Sequence, residues 1–166
     1  MRKTLVLITL AALAGLWAVT ARAIYGAPPL PARIPTHFDA AGNINGWGDV
    51  QSLWLLPIVA TCVTVLLTVI SFFPQTFNYP VSVTPENRPR LEAITLSMLA
   101  WLEAELACQF LWIQWVTIRS ARSGRSELSP LLIVLAIALI FVTVAAHIVA
   151  TVRAARSNAQ AETPVS

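Results

Sequence analysis

The sequence predicts an all-α integral membrane protein: a four-helix bundle with a small structured cap between helices 1 and 2. Three observations predict it. Of 166 residues, 57% are hydrophobic and only 11% are charged, whereas a soluble domain carries about 25% charged residues. So much apolar surface has no place in one small core, and the bilayer is the expected solvent. Four apolar runs each reach the roughly 20 residues that a spanning helix needs. Between the first two lies a polar, glycine-rich, aromatic stretch, IPTHFDAAGNINGWGD, at residues 34–49.

The reading is one membrane domain over residues 1–156, with spans at about 4–24, 52–73, 91–118 and 131–152, and a short disordered tail at 157–166. In lipid the backbone satisfies its own hydrogen bonds, so each span is a helix. The first run has a rival reading. Arg2 and Lys3 precede it, and Ala21-Arg22-Ala23 has the look of a signal-peptide cleavage site. Yet the run is longer than a signal core of about 7–15 residues. Ala11, Gly15 and Ala18 also form a small-residue stripe suited to helix packing. We read it as an uncleaved first helix.

The net charge is +3 and the basic residues are scattered. No Lys/Arg run forms a nucleic-acid patch, so no nucleic-acid partner is expected. Arginines flank the spans almost evenly on the two sides. The first helix usually dominates orientation, and Arg2-Lys3 then places both termini in the cytoplasm. Tyr25, Trp47, Trp54, Trp112 and Trp115 gather at the side of the quoted loop, at headgroup depth. Cys62 and Cys108 fall inside apolar runs and read as small hydrophobes.

The loop begins stiffly, with Pro28-Pro29-Leu30-Pro31 and Ile34-Pro35. Thr36-His37-Phe38-Asp39 is strand-like. Gly42, Gly46 and Gly48 offer three places for positive φ, and Asn45-Gly46 is a tight-turn dipeptide. Phe38, Ile44 and Trp47 are expected to rest as an apolar face on the helix ends. Asn43-Ile44-Asn45-Gly46 echoes part of a calcium loop, but Ala41 stands at the first ligand position and Ser52 where the closing glutamate belongs. His37 and Asp39 lack further zinc ligands nearby. No metal, cofactor or catalytic residue is therefore expected. His37, Phe38, Asp39, Asn45 and Trp47 are the candidate partner-binding residues, or else His37 and Asp39 brace the loop backbone.

Leu30-Pro31, Ile34-Pro35, His37-Phe38-Asp39, Gly42 and Gly46-Trp47-Gly48 together resemble the loop of a bacterial membrane segment, the domain of unknown function numbered sixteen forty-eight. Phe77-Asn78-Tyr79-Pro80 and Thr84-Pro85-Glu86-Asn87 are similar to that family's second loop. The segment also occurs in Sdp-type toxin-immunity membrane proteins. The resemblance implies a multi-helix bacterial inner-membrane protein. Some larger relatives protect cells from a secreted toxic peptide and relay a signal to a repressor. This chain is shorter than they are and is expected to have only four helices.

Thr84, Pro85 and Glu86 read as the start of the third helix. Glu92, Glu103 and Gln114 recur every eleven residues, close to three turns, and form one stripe. Glu105 lies about 200° round from Glu103, with Gln109 near it. Glu103 and Glu105 sit near mid-membrane, where a charge costs about 2.5–3.5 kcal/mol on insertion scales. Two readings stand. The acids serve a proton or cation relay, or they are polar glue between helices. Their opposed directions point one acid at the bundle and the other at a second subunit or a wet groove, hence an expected homo-oligomer. Glu92 and His147 are expected to meet across the third and fourth helices.

Two functions follow. One is a non-enzymatic membrane protein that recognises a partner (a secreted peptide or another membrane protein) through the helix 1–2 loop, with immunity or signalling implied by the resemblance. The other is a small transporter or channel subunit using Glu103 or Glu105.

Overall fold

The computed structural model describes the backbone of residues 1–161 and the side chains of residues 1–156. Helix α1 spans Arg2–Tyr25. Strands β1 (Arg33–Phe38) and β2 (Ile44–Asp49) follow, then a 3-10 turn at Val50–Trp54 that runs into α2 (Leu55–Ser71). A second 3-10 turn, Pro74–Thr76, precedes α3 (Arg88–Ser123) and α4 (Pro130–Ala161). Among the described residues, four helices are long and apolar enough to cross a membrane. The chain is a multi-pass helical protein with one two-stranded antiparallel sheet. Helix α4 continues past residue 156, where the tail was expected to begin, and residues 162–166 lie outside the described residues.

Helix α3 is the hub. It packs against α1, α2, α4 and β1. At 36 residues it is about 54 Å long, well beyond the ~30 Å hydrocarbon core. Its last turns run alongside the cap. There Ile118 and Ala121 form a core with Ala23 of α1, Ile34 of β1 and Leu53. At the other end Ala100 and Ala104 close on Leu5. Small side chains let backbones approach where lipid supplies no hydrophobic drive between helices.

Helix α1 buries Leu5, Thr9, Ala12, Leu16, Thr20 and Ala23, a stripe at three- and four-residue steps. This corrects the small-residue stripe expected from the sequence. Ala11 and Ala18 are exposed, and only Gly15 meets α3, at Leu111. The stripe is set by the polar anchor that Thr20 must reach, described below, and that rotates Ala11 and Ala18 outward.

The start of α3 also differs from expectation. Thr84 and Asn87 bond reciprocally: Thr84 N donates to Asn87 Oδ1 at 2.9 Å, and Asn87 N to Thr84 Oγ1 at 3.4 Å. This closes a separate turn, so the helix begins at Arg88, with a proline in its first turn. At the far end Gly124 adopts φ +68° and stops α3 in a left-handed cap.

The loop folds into a β-hairpin, and its turn is not the one expected. Asn45-Gly46 lies inside β2, opposite His37. The reversal is Asp39–Asn43. Asp39 N donates to Asn43 O at 2.8 Å, and Gly42 N to Asp39 O at 2.9 Å. Gly42 alone among the three loop glycines has positive φ, +83°. Gly46 and Gly48 instead admit close cross-strand neighbours. A Cβ on Gly46 would stand 2.7 Å from His37 Cβ, and one on Gly48 2.6 Å from Thr36 Cγ2.

The hairpin tip docks on the α3–α4 connection. Ser126 Oγ donates to Gly42 O, and a Cβ on Gly42 would meet Leu128 O at 3.0 Å. Gly42→Ala therefore combines a disfavoured φ with a clash at a backbone oxygen. We expect it to destabilise the protein by about 1–2 kcal/mol. A lowered thermal midpoint in detergent, with faster amide exchange across residues 39–43, checks this; an unchanged midpoint contradicts it.

Candidate functional site

Two sets of polar side chains stand out: the outer edge of the cap and the interior of α3. In the cap, Ile34 and Pro35 are almost fully buried. They, and not the expected Phe38, Ile44 and Trp47, form the seat of the hairpin. Phe38 and Ile44 are half-buried, and Trp47 is 49% exposed. The reason is the register. Irregular pairing between Pro35 and Phe38 turns Ile34 and Pro35 inward and leaves β2 to present Asn45, Trp47 and Asp49 outward.

His37 is exposed and its Nδ1 is hydrogen-bonded to Asn45 Oδ1 across the hairpin. Arg33 donates to Trp47 O at 3.3 Å. The outer edge thus presents an imidazole, a carboxamide and an indole on a braced backbone. Asp39 is different. Its Oδ1 accepts from Asn43 N at 2.8 Å and its Oδ2 from Asn43 Nδ2 at 3.2 Å. It builds the turn. Asn43, which completes that turn, stands out in the sequence only as part of the calcium-loop echo, although Asp and Asn four apart around a glycine are a turn signal.

The profile of one protein family, described as Domain of unknown function (DUF1648), matches residues 5–61. These residues belong to the DUF1648 family. The DUF1648 segment is therefore α1, the hairpin cap and the first turns of α2. No curated protein and no solved structure matches the chain.

The helix α3 lies outside the DUF1648 segment, yet one of its side chains pins that segment together. Gln114 has no exposed surface. Its Nε2 donates to Thr20 Oγ1 on α1 at 2.7 Å and to Leu53 O, just before α2, at 3.0 Å. Thr20 in turn donates to Leu16 O at 2.7 Å. Both ends of the cap are tied to α3 through this one amide.

The two mid-membrane acids reach opposite neighbours. Thr68 of α2 donates to Glu103 Oε1 at 3.0 Å. Thr143 of α4 donates to Glu105 Oε1. Gln109 donates to Ala136 O of α4 at 2.9 Å. The opposed directions expected from the sequence are real: Glu103 bonds to α2, while Glu105 bonds to α4 and also borders a groove between α1, α3 and α4. Thr68 and Thr143 were missed, since a threonine in an apolar run carries no signal until its partner's depth is known.

Glu92 and His147 do not meet. Glu92 pairs with Arg88 one turn away, at 3.6 Å. His147 Nδ1 bonds to Thr143 O on its own helix at 2.8 Å. The register explains this. With Glu105 opposite Thr143, His147 lies about 6 Å further along α4, whereas Glu92 lies about 20 Å back along α3. Cys62 and Cys108 are both free thiols on exposed faces. Among the described residues, no group of three His, Cys, Asp or Glu side chains could hold a metal ion.

The turn carries a pH dependence. Hydrogen bonds from Asn43, its backbone N–H first and its side-chain amide second, hold the Asp39 carboxyl below its usual value of 3.8. A carboxyl depressed in the folded state adds stability above its unfolded pKa and loses it as pH falls through the folded pKa. Amide exchange at residues 42–45, normalised to intrinsic rates, is expected to stay flat from neutral pH down to about 4 and then rise. Asp39→Asn should abolish that pH step. A profile unchanged by the substitution would assign the step elsewhere.

Proposed function

We propose that this chain is a non-enzymatic multi-pass protein of the bacterial inner membrane that recognises a partner through its cap. One observation carries the reading: His37, Asn45 and Trp47 stand exposed together on a hairpin whose underside is buried and tied down. A rigid, half-exposed indole beside polar groups suits a contact surface, since ordering it costs little on binding. The remaining polar groups have structural tasks. Asp39 makes the turn, Gln114 the anchor, and Glu103 its bond to Thr68.

Arg2 and Lys3 ahead of the first helix favour a cytoplasmic N-terminus. With that orientation, four spans would return the C-terminus to the cytoplasm and put the cap on the outer face. A secreted peptide or the outer part of another membrane protein is the partner that reaches it. An immunity or signalling role follows from the resemblance to Sdp-type proteins. The rival reading, proton or cation passage, draws on Glu105, whose second oxygen has no partner among the described residues.

A photoreactive side chain at position 37, activated in native membranes, tests the proposal. We expect one discrete cross-linked product that falls about tenfold or more with Trp47→Ala at unchanged thermal stability. Cross-links confined to the chain's own helices would make the cap purely structural.

A further inference from the structure

The wall between α1, α3 and α4 holds a lipid-facing groove of about 430 Å³. Its lining is apolar, with Leu5, Trp101, Trp112 and Leu139 among the contributors, except for Glu105 and Gln109. Gln109 Nε2 is committed to Ala136 O. Glu105 is only 8% exposed, and its Oε1 is bonded to Thr143. Its Oε2 is buried and has no hydrogen-bond partner among the described residues. A buried acceptor left without a donor is costly anywhere, and more so in hydrocarbon.

An ordinary acyl chain fills such a groove but leaves Oε2 unmet. A molecule with one donor on an apolar body fills the groove and, with a small turn of the Glu105 carboxyl into it, also satisfies the acid. Access is also present. Gln109, Trp112 and Ala136 line a second hollow of about 320 Å³, which reaches Thr36 and His37 of the cap. The two hollows share a wall along α3 and α4, from the cap towards mid-membrane.

We propose that the groove is a binding site for a lipophilic molecule carrying a hydroxyl or amino group, whose donor is taken by Glu105. The chain of the ligand lies against Trp101, Trp112 and Leu139. This site does not rest on the cap reading: its acid and most of its lining belong to α3 and α4, with Leu5 and Ile8 of α1 closing one side, and its loss would leave the exposed edge of the cap in place.

The test uses the full chain in lipid nanodiscs with three photoreactive probes of equal chain length: a primary alcohol, a primary amine and a plain alkane. We expect the alcohol or the amine to label peptides covering residues 101–112 and 132–139 about tenfold more than the alkane does. Which of the two labels more tells hydroxyl from amine. Glu105→Leu should lower that labelling to the alkane level. Should Glu105→Leu fail to fold, Leu139→Trp provides the second arm. It fills the groove from a position that is 50% exposed, with the acid intact, and must also remove the labelling. Equal labelling by the alkane, labelling indifferent to both substitutions, or cross-linking of the groove to a second copy of the chain would overturn the proposal.

Discussion

The structure depends on one constraint. In lipid, apolar helices gain nothing by hiding from their solvent, so polar side chains and close packing must hold them together. Helix α3 meets that constraint for the whole chain. Gln114 binds α1 and the residue before α2, Glu103 binds α2, and Gln109 and Glu105 bind α4. Each neighbouring helix supplies either a threonine hydroxyl or a backbone carbonyl. The third apolar run is the most polar of the four, and it is the one that packs against all three others.

The same logic positions the cap. Helix α3 is too long for the bilayer, and its last turns give the hairpin something to sit on. Ile34 enters a core made by Ala23, Leu53, Ile118 and Ala121. The tip is held by Ser126, and the α3–α4 connection is itself braced, with Arg119 and Glu127 3.5 Å apart and Glu127 N donating to Ser120 Oγ at 2.9 Å. A hairpin of two short strands is marginal in isolation. Here both its ends and its tip are anchored, which is what lets an exposed edge stay ordered.

How much of this was legible depends on the kind of signal. The spans were plain, because about 20 apolar residues have few other fates. The cap was plain as an interruption, and its membership of a family showed in its residues. Its internal geometry was not. Asn45-Gly46 is the stronger turn dipeptide by local preference, but Asp39 and Asn43 make more hydrogen bonds, and the seat for Ile34 fixes the register. Glu103 and Glu105 were legible as a pair of opposed acids from angular spacing alone. Their partners were not, because Thr68 and Thr143 are silent until the packing of α2 and α4 on α3 is known. The Glu92–His147 contact failed for the same reason: depth along one helix does not give register against another.

The central claim is that the buried amides and carboxyls of α3, and not apolar contact alone, hold the chain's parts together. Gln114→Leu tests it most directly, since leucine fills much of the same space and removes the hydrogen bonds to Thr20 and Leu53, together with an Oε1 that has no partner among the described residues. Thermal unfolding and amide exchange of the variant in lipid nanodiscs would be compared with those of the parent chain. The account predicts a lowered midpoint together with faster exchange across residues 33–49, where the cap loses its tie to α3. An unchanged midpoint and unchanged cap exchange would contradict it.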